Sequence, residues 1–346
     1  MWICLLVAAA NFFASPLAYA AQLKSPYPIS NNAVALVEIK GAPWVCSFGG
    51  LKSGKTYRHV SADAFAVNLK TGEQRKLPPL PDSLGRLAGT AVAVKNKVYI
   101  FGGYSVAKSG AEISTPDVFV FDPSSEQYGK ADPMPTPVDD AVSFSYRDRY
   151  IYLVCGWHND RNLSVVQIFD THTSTWLRAI AYPGTPVFGH AGGIVDRAFV
   201  VFGGVKSELQ ANGRNKYSAS DEAWWGEIDE KNPLKVSWTR LHAPPVDTAY
   251  RIAAVGSSRV NAVVFAGGTD NPYNYNGVGY NKALSKPSPE LFSFDMAKGQ
   301  WHIMVPRAKG MMDHRGLIEW NGRFYTIGGM DRRQRVTSDI ASFEHD

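Results

Sequence analysis

The chain has 346 residues, 45% of them hydrophobic and 19% charged, with a formal charge of +5. This is enough apolar material for a large core, and all-β chains of this length often form one domain. No block of five or more like charges occurs, which argues against nucleic-acid binding.

Residues 5–10 are apolar, and Ala18, Tyr19 and Ala20 form a small-x-small site. Residues 1–20 therefore read as a secretory signal peptide cleaved after Ala20, although they contain no Lys or Arg for a basic leader. Asn11, Ser15 and Pro16 interrupt the run, and no later stretch is long enough to cross a bilayer. The expected location is periplasmic or secreted, with no membrane span. Cleavage would remove Cys4. Cys46 and Cys155 then remain, in strands two repeats apart, and read as buried free thiols.

From residue 21 to 346 one phrase recurs: a β-rich run that stops at a glycine doublet. It reads Cys46-Ser-Phe-Gly-Gly50, Val98-Tyr-Ile-Phe-Gly-Gly103, Val200-Val-Phe-Gly-Gly204, Val264-Phe-Ala-Gly-Gly268 and Tyr325-Thr-Ile-Gly-Gly329. A sixth copy, Ile151-Tyr-Leu-Val-Cys-Gly156, has Cys155 in place of the first glycine. The copies recur every 48 to 64 residues. Such a period, with β-type phrases, predicts an all-β, six-bladed β-propeller in one domain. After each doublet a third strand ends at an Asp, and an aromatic follows six residues later: Asp122 and Tyr128, Asp170 and Trp176, Asp295 and Trp301. The Asp suits a turn cap and the aromatic suits packing between blades. The last repeat lacks a fourth strand, while residues 22–30 parallel the fourth strand and exit at 75–83. An N-terminal strand is therefore expected to complete the last blade and close the ring.

The doublet, the aromatic-Asp pair and the later Trp resemble the kelch-repeat family. Arg86 and His190 match the Arg and His slots of that family's inner-strand pattern, though no single repeat carries the whole of it.

The strand order puts the loops after the doublets and those leading into the inner strands on one face, with the tight inner hairpins on the other. The long loops, 205–222 and 269–289, lie on the first face, over the channel mouth. Loop 269–289 offers Asn271, Tyr273, Asn274, Tyr275 and Tyr280, a mixture of ring faces and amides that suits a sugar or, equally, an ordered loop. The other loop holds Tyr217, and ends near Trp224 and Trp225, which read as packing residues. Arg86, Asp139, Asp140, His190, Arg251, Asp313, His314 and Arg315 all precede inner strands and converge on the mouth. Arg86, Arg251 and Arg315 could clamp an anionic ligand or tie blades together.

Some kelch-type propellers are copper radical oxidases. That chemistry needs two His and two Tyr ligands with a Tyr–Cys crosslink, and this chain has no matching set. No metal or cofactor is expected. The chain also resembles the exported six-bladed kelch proteins that include the sialic-acid mutarotases (N-acetylneuraminate epimerases). That resemblance implies cofactor-independent anomer exchange, with His190 or His314 as acid and base and the arginines holding a sugar carboxylate. The alternative is a non-catalytic module binding a glycan or a protein through the same face.

Overall fold

In the computed structural model, which describes residues 23–346, the chain folds as a six-bladed β-propeller. The proposed signal peptide, residues 1–20, lies outside the described residues. Blades one to five are four-stranded antiparallel sheets. Blade one comprises Ala33–Ile39, Ala42–Leu51, Val60–Asn68 and Gln74–Leu77. The remaining inner strands are Thr90–Val94, Val142–Tyr146, Ala191–Val195, Ala253–Ser257 and Ile318–Trp320. They stand side by side around a central channel.

The glycine doublet follows from the contact between blades. The amide of each doublet's second glycine donates to a backbone carbonyl of the next blade. Gly50 bonds Arg86 (2.8 Å), Gly103 Val138 (3.4 Å), Gly156 Val187 (3.1 Å), Gly204 Ala249 (2.6 Å) and Gly268 Met311 (3.0 Å). Gly329 bonds Ile29 at 2.8 Å and closes the circle. The first glycine has left-handed backbone in five copies, and a β-carbon there would lie 2.0–2.7 Å from that same carbonyl oxygen. Cys155 is the exception: it holds φ 55° with a side chain and is buried.

Two glycines of similar conformation separate these effects. Gly203 (φ 76°) has the Ala249 carbonyl oxygen 2.3 Å from its would-be β-carbon, whereas Gly213 (φ 76°) has nothing within 4 Å. Gly203→Ala should cost about 3 kcal/mol or more, combining backbone strain with overpacking. Gly213→Ala should cost only about 1 kcal/mol, from the backbone alone. Urea denaturation of the two variants checks this, and equal losses would refute the junction argument.

The Asp after each third strand caps its turn, as Asp122 does for the Ser124 amide (2.9 Å) and Asp170 for the His172 amide (3.0 Å). In blade one Asn68 takes this role. The fourth-strand aromatics do bridge blades. Trp176 donates to the Asp132 carbonyl (2.9 Å), Trp301 to that of His242 (2.7 Å) and Tyr128 to that of Pro78 (2.9 Å).

Blade six has three strands, Ile318–Trp320, Arg323–Ile327 and Ile340–Glu344. The N-terminal segment crosses its edge through a single antiparallel bridge, Lys24 to Asp339. Ser25 donates to Ser338 (2.8 Å), and Ile340 donates to Leu23 (3.0 Å). Among the described residues this clasp is a bridge, shorter than a ladder strand.

Candidate functional site at the channel mouth

Six structurally equivalent residues precede the inner strands: Ser30, Leu87, Asp139, Phe188, Tyr250 and Met312. Each bridges the segment just past its own doublet. The next residue in each blade, Asn31, Ala88, Asp140, Gly189, Arg251 or Asp313, has φ between 49° and 71°. Their backbones are stitched together around the axis. The amides of Asn31, Asp140, Gly189 and Arg251 donate to the carbonyls of Asp313, Ala88, Asp140 and Gly189, at 2.8–3.0 Å. The Ala88 amide donates to Asn31 Oδ1 (2.9 Å).

The charged members of this ring and its neighbours form a buried plug. Arg251 donates through Nε (3.3 Å) and Nη2 (3.0 Å) to the two oxygens of Asp140, and through Nη1 (2.8 Å) to Asp313. Arg315 Nη1 reaches Asp140 at 2.6 Å. Tyr273 donates its hydroxyl to Asp313 (3.0 Å). The Arg251 guanidinium lies 5.0 Å from the Tyr250 ring centroid and 5.2 Å from that of Tyr273. Burial pushes the Asp140 carboxyl up, but Arg251 and Arg315 outweigh it and hold the group below its ordinary value. Two arginines thus face two aspartates, and the plug is close to neutral.

The plug separates two spaces. On the channel side is a cavity of about 500 Å³ lined by the inner strands, with His190, His314 and Arg315 at its wall. On the doublet side is a mouth pocket of about 290 Å³. Arg251 and Asp140 floor it. Tyr217 and Tyr280 form its aromatic wall, stacked with centroids 4.1 Å apart and planes at 24°. Trp157 continues that wall, 5.9 Å from Tyr217, and Asn159 and Asn274 add amides.

Two further carboxyls line the mouth pocket. Glu112 and Ser114 are two residues apart on one short strand, Glu112–Ser114, so they share a face. Ser114 Oγ donates to Asp139 Oδ2 at 2.6 Å. Burial pushes the Glu112 carboxyl up to about 7, an effect that Arg251 opposes and Asp140 reinforces. Burial, and then the neighbouring Asp140, raise the Asp139 carboxyl well above its ordinary value.

Of the residues named from the sequence, Asp139, Asp140, Tyr217, Arg251, Asn274 and Tyr280 line this pocket. Tyr273 is fully buried beneath it as a support of Arg251 and Asp313. Asn271 bonds Asn281 (3.3 Å) within its own loop, and Tyr275 is half-buried against the aromatic cluster under that loop. Arg86 is elsewhere. It lies one residue before the bridging position, so its side chain turns away from the mouth to Asp82 (2.9 Å) and Phe119. His190 and His314 occupy the slot that packs on the second doublet glycine, His190 against Gly204 and His314 against Gly329. Burial lowers both imidazoles to about 3, so they are neutral at any ordinary pH.

Glu112, Trp157 and Asn159 were not singled out, because they sit on small hairpins added after the doublets of blades two and three. These are Tyr104–Val106 with Glu112–Ser114, and Trp157–His158 with Arg161–Asn162. A third hairpin, Val205–Leu209 with Asn215–Ala219, presents Tyr217. The short alternation Glu112-Ile-Ser114 just past a doublet was the available signal.

A family model described as the KLHDC2/KLHL20/DRC7 Kelch-repeats domain matches residues 20–204. The chain belongs to the kelch-repeat family. This kelch propeller is 24% identical to Kelch domain-containing protein 1 of Homo sapiens over 219 residues, 53% of this chain and 50% of that protein. It therefore spans about half the length of that relative. It is 22% identical to N-acetylneuraminate epimerase 1 of Escherichia coli O6:H1 over 357 residues, covering 89% of this chain and 90% of that one. A solved structure described as "Structure of YjhT" superposes with a TM-score of 0.72 at 15% identity, over 93% of this chain and 97% of the other, a likeness of fold.

Proposed function

We propose that this kelch propeller, acting outside the cytoplasm, binds a small carbohydrate in the mouth pocket and exchanges its anomers. The observation that carries the reading is the presence of two carboxyls in one pocket, Glu112 and Asp139, both raised by burial, beside the Tyr217–Tyr280 wall. A stacked aromatic wall suits the apolar C–H face of a sugar, and a pair of carboxyls raised toward neutral pH suits acid–base work. Ionised Glu112 takes the proton of the anomeric hydroxyl. The ring C–O bond breaks, its electron pair goes to the ring oxygen, and that oxygen receives the proton of Asp139. The open-chain carbonyl turns, and the same steps in reverse close the other anomer. Arg251 and Asp140 act as the fixed floor. In this scheme His190 and His314 are packing residues, and the acid and base roles first assigned to them pass to the mouth carboxyls.

The name of the Escherichia coli relative suggests an acidic sugar such as N-acetylneuraminate as the substrate. A second reading is a non-catalytic module that binds a protein partner. It is favoured by the exposed Ile113, Leu209 and Leu284 on loops of the same face. Anomer exchange measured by NMR on freshly dissolved N-acetylneuraminate and neutral hexoses tests the proposal. Acceleration over buffer by wild type is expected for at least one sugar. No acceleration with any of them removes the enzymatic reading and leaves the binding module.

A further inference from the structure

The mouth pocket has the composition of a site for an organic cation. Its walls are Tyr217, Tyr280 and Trp157, with Tyr104 and Phe188 also at its lining. Aromatic faces attract an ammonium through the ring quadrupole, and several faces around one space add their attraction. The charged groups point the same way. The cation on the floor, Arg251, donates three hydrogen bonds to Asp140 and Asp313 and is flanked by two tyrosine rings. With Arg315 on Asp140, the four groups of the plug sum to zero and both of its arginines are already bound to carboxylates. Glu112 and Asp139 remain. Glu112 forms no ion pair among the described residues, and it acts electrostatically on Tyr104, Tyr217, Tyr275 and Tyr280, so it sits amid the aromatic lining. Asp139 is 3% exposed and accepts its one side-chain hydrogen bond from Ser114.

We propose that the ligand of this pocket carries a positively charged amino group, which makes the substrate class an amino sugar rather than an acidic one. The inference rests on the carbohydrate reading above and names the class within it. The chemistry of the two fits together. In a 2-amino-2-deoxy sugar the ammonium stands on the carbon next to the anomeric one. A carboxylate placed to take the anomeric proton is therefore within reach of the ammonium, and the Tyr217–Tyr280 pair faces the adjoining C–H surface. An acidic sugar would instead bring its carboxylate against ionised Glu112, with Arg251 already bound.

The experiment is titration calorimetry with glucosamine, N-acetylglucosamine and N-acetylneuraminate against the whole protein near neutral pH. Glucosamine is expected to bind at least 10-fold more tightly than N-acetylglucosamine, which has the same ring without the charge. Glu112→Gln should narrow that ratio to about 2-fold, and Tyr217→Leu should weaken glucosamine about 5-fold or more. The second variant serves if the first does not fold. N-acetylglucosamine or N-acetylneuraminate binding as tightly as glucosamine overturns the amino-sugar inference and leaves the carbohydrate reading standing. No sugar binding at all overturns the carbohydrate reading, and the inference falls with it.

Discussion

Arg251→Ala should destabilise the protein by about 3–5 kcal/mol, the range for removing one partner of a buried ion pair. Arg251 is 2% exposed, Asp140 2% and Asp313 0%. Truncation removes three hydrogen bonds at once and leaves Asp313 with no ion-pair partner, while Asp140 keeps only Arg315. It also strips the Tyr250 and Tyr273 rings of the guanidinium between them, so the floor of the mouth pocket goes with it. Chemical denaturation measures the loss, and ligand titration of the folded fraction measures the pocket. A loss under about 1 kcal/mol would mean that the plug contributes little to stability and would refute this account.

Glu112→Gln should lower the rate of anomer exchange about 100-fold or more, the usual contribution of a positioned acid or base. The pH profile carries more information than the magnitude. The groups facing Glu112 are Arg251, Asp139 and Asp140, with Tyr104, Tyr217, Tyr275 and Tyr280 around it. The first limb of the profile should be a rise in rate as Glu112 ionises near pH 7. The glutamine variant should lack the first limb. Stability has the opposite sign. The folded protein holds a proton on Glu112 up to about pH 7, whereas the unfolded chain releases it near 4.5. The group's contribution is therefore full below 4.5 and lost as pH rises through 7, and Glu112→Gln should flatten that slope. An inflection near pH 7 that persists in the rate profile of the variant would exclude Glu112 as the base.

The scaffold was legible because its contacts are backbone contacts. A carbonyl of the next blade sits against every doublet, so glycine recurs wherever that geometry does, and counting doublets counts blades. Asp122, Asp170 and Asp295 were readable for the same reason, since each does one local job in one turn. Side-chain direction was harder. Arg86 and Arg251 look equivalent at sixteen residues before a first glycine, but the inner hairpins differ in length. Arg86 falls one residue before its bridging position and Arg251 one residue after, and this turns one away from the mouth and the other into it. His190 and His314 entered as acid and base through a resemblance, and the sequence did not show that their slot packs on the second doublet glycine, as Asn32 and Ile252 do elsewhere. The mouth carboxyl Glu112 and the aromatics Trp157 and Tyr217 ride on the hairpins after the doublets of blades two, three and four, whose lengths and sequences differ from one to the next, so no repeat pattern marks them.

The six identical junctions also bear on how the molecule is assembled in time. Gly50 finds Arg86 within 36 residues, whereas Gly329 must find Ile29 across 300. Loop-closure entropy grows only with the logarithm of length, so the distant junction costs about 2 kcal/mol more than the near one. Five junctions can form as neighbouring blades collapse. The sixth must wait for the two ends of the chain to meet, and such long-range closure is the slow kind of step. The seam between blades six and one is thus where folding should finish and where unfolding should begin.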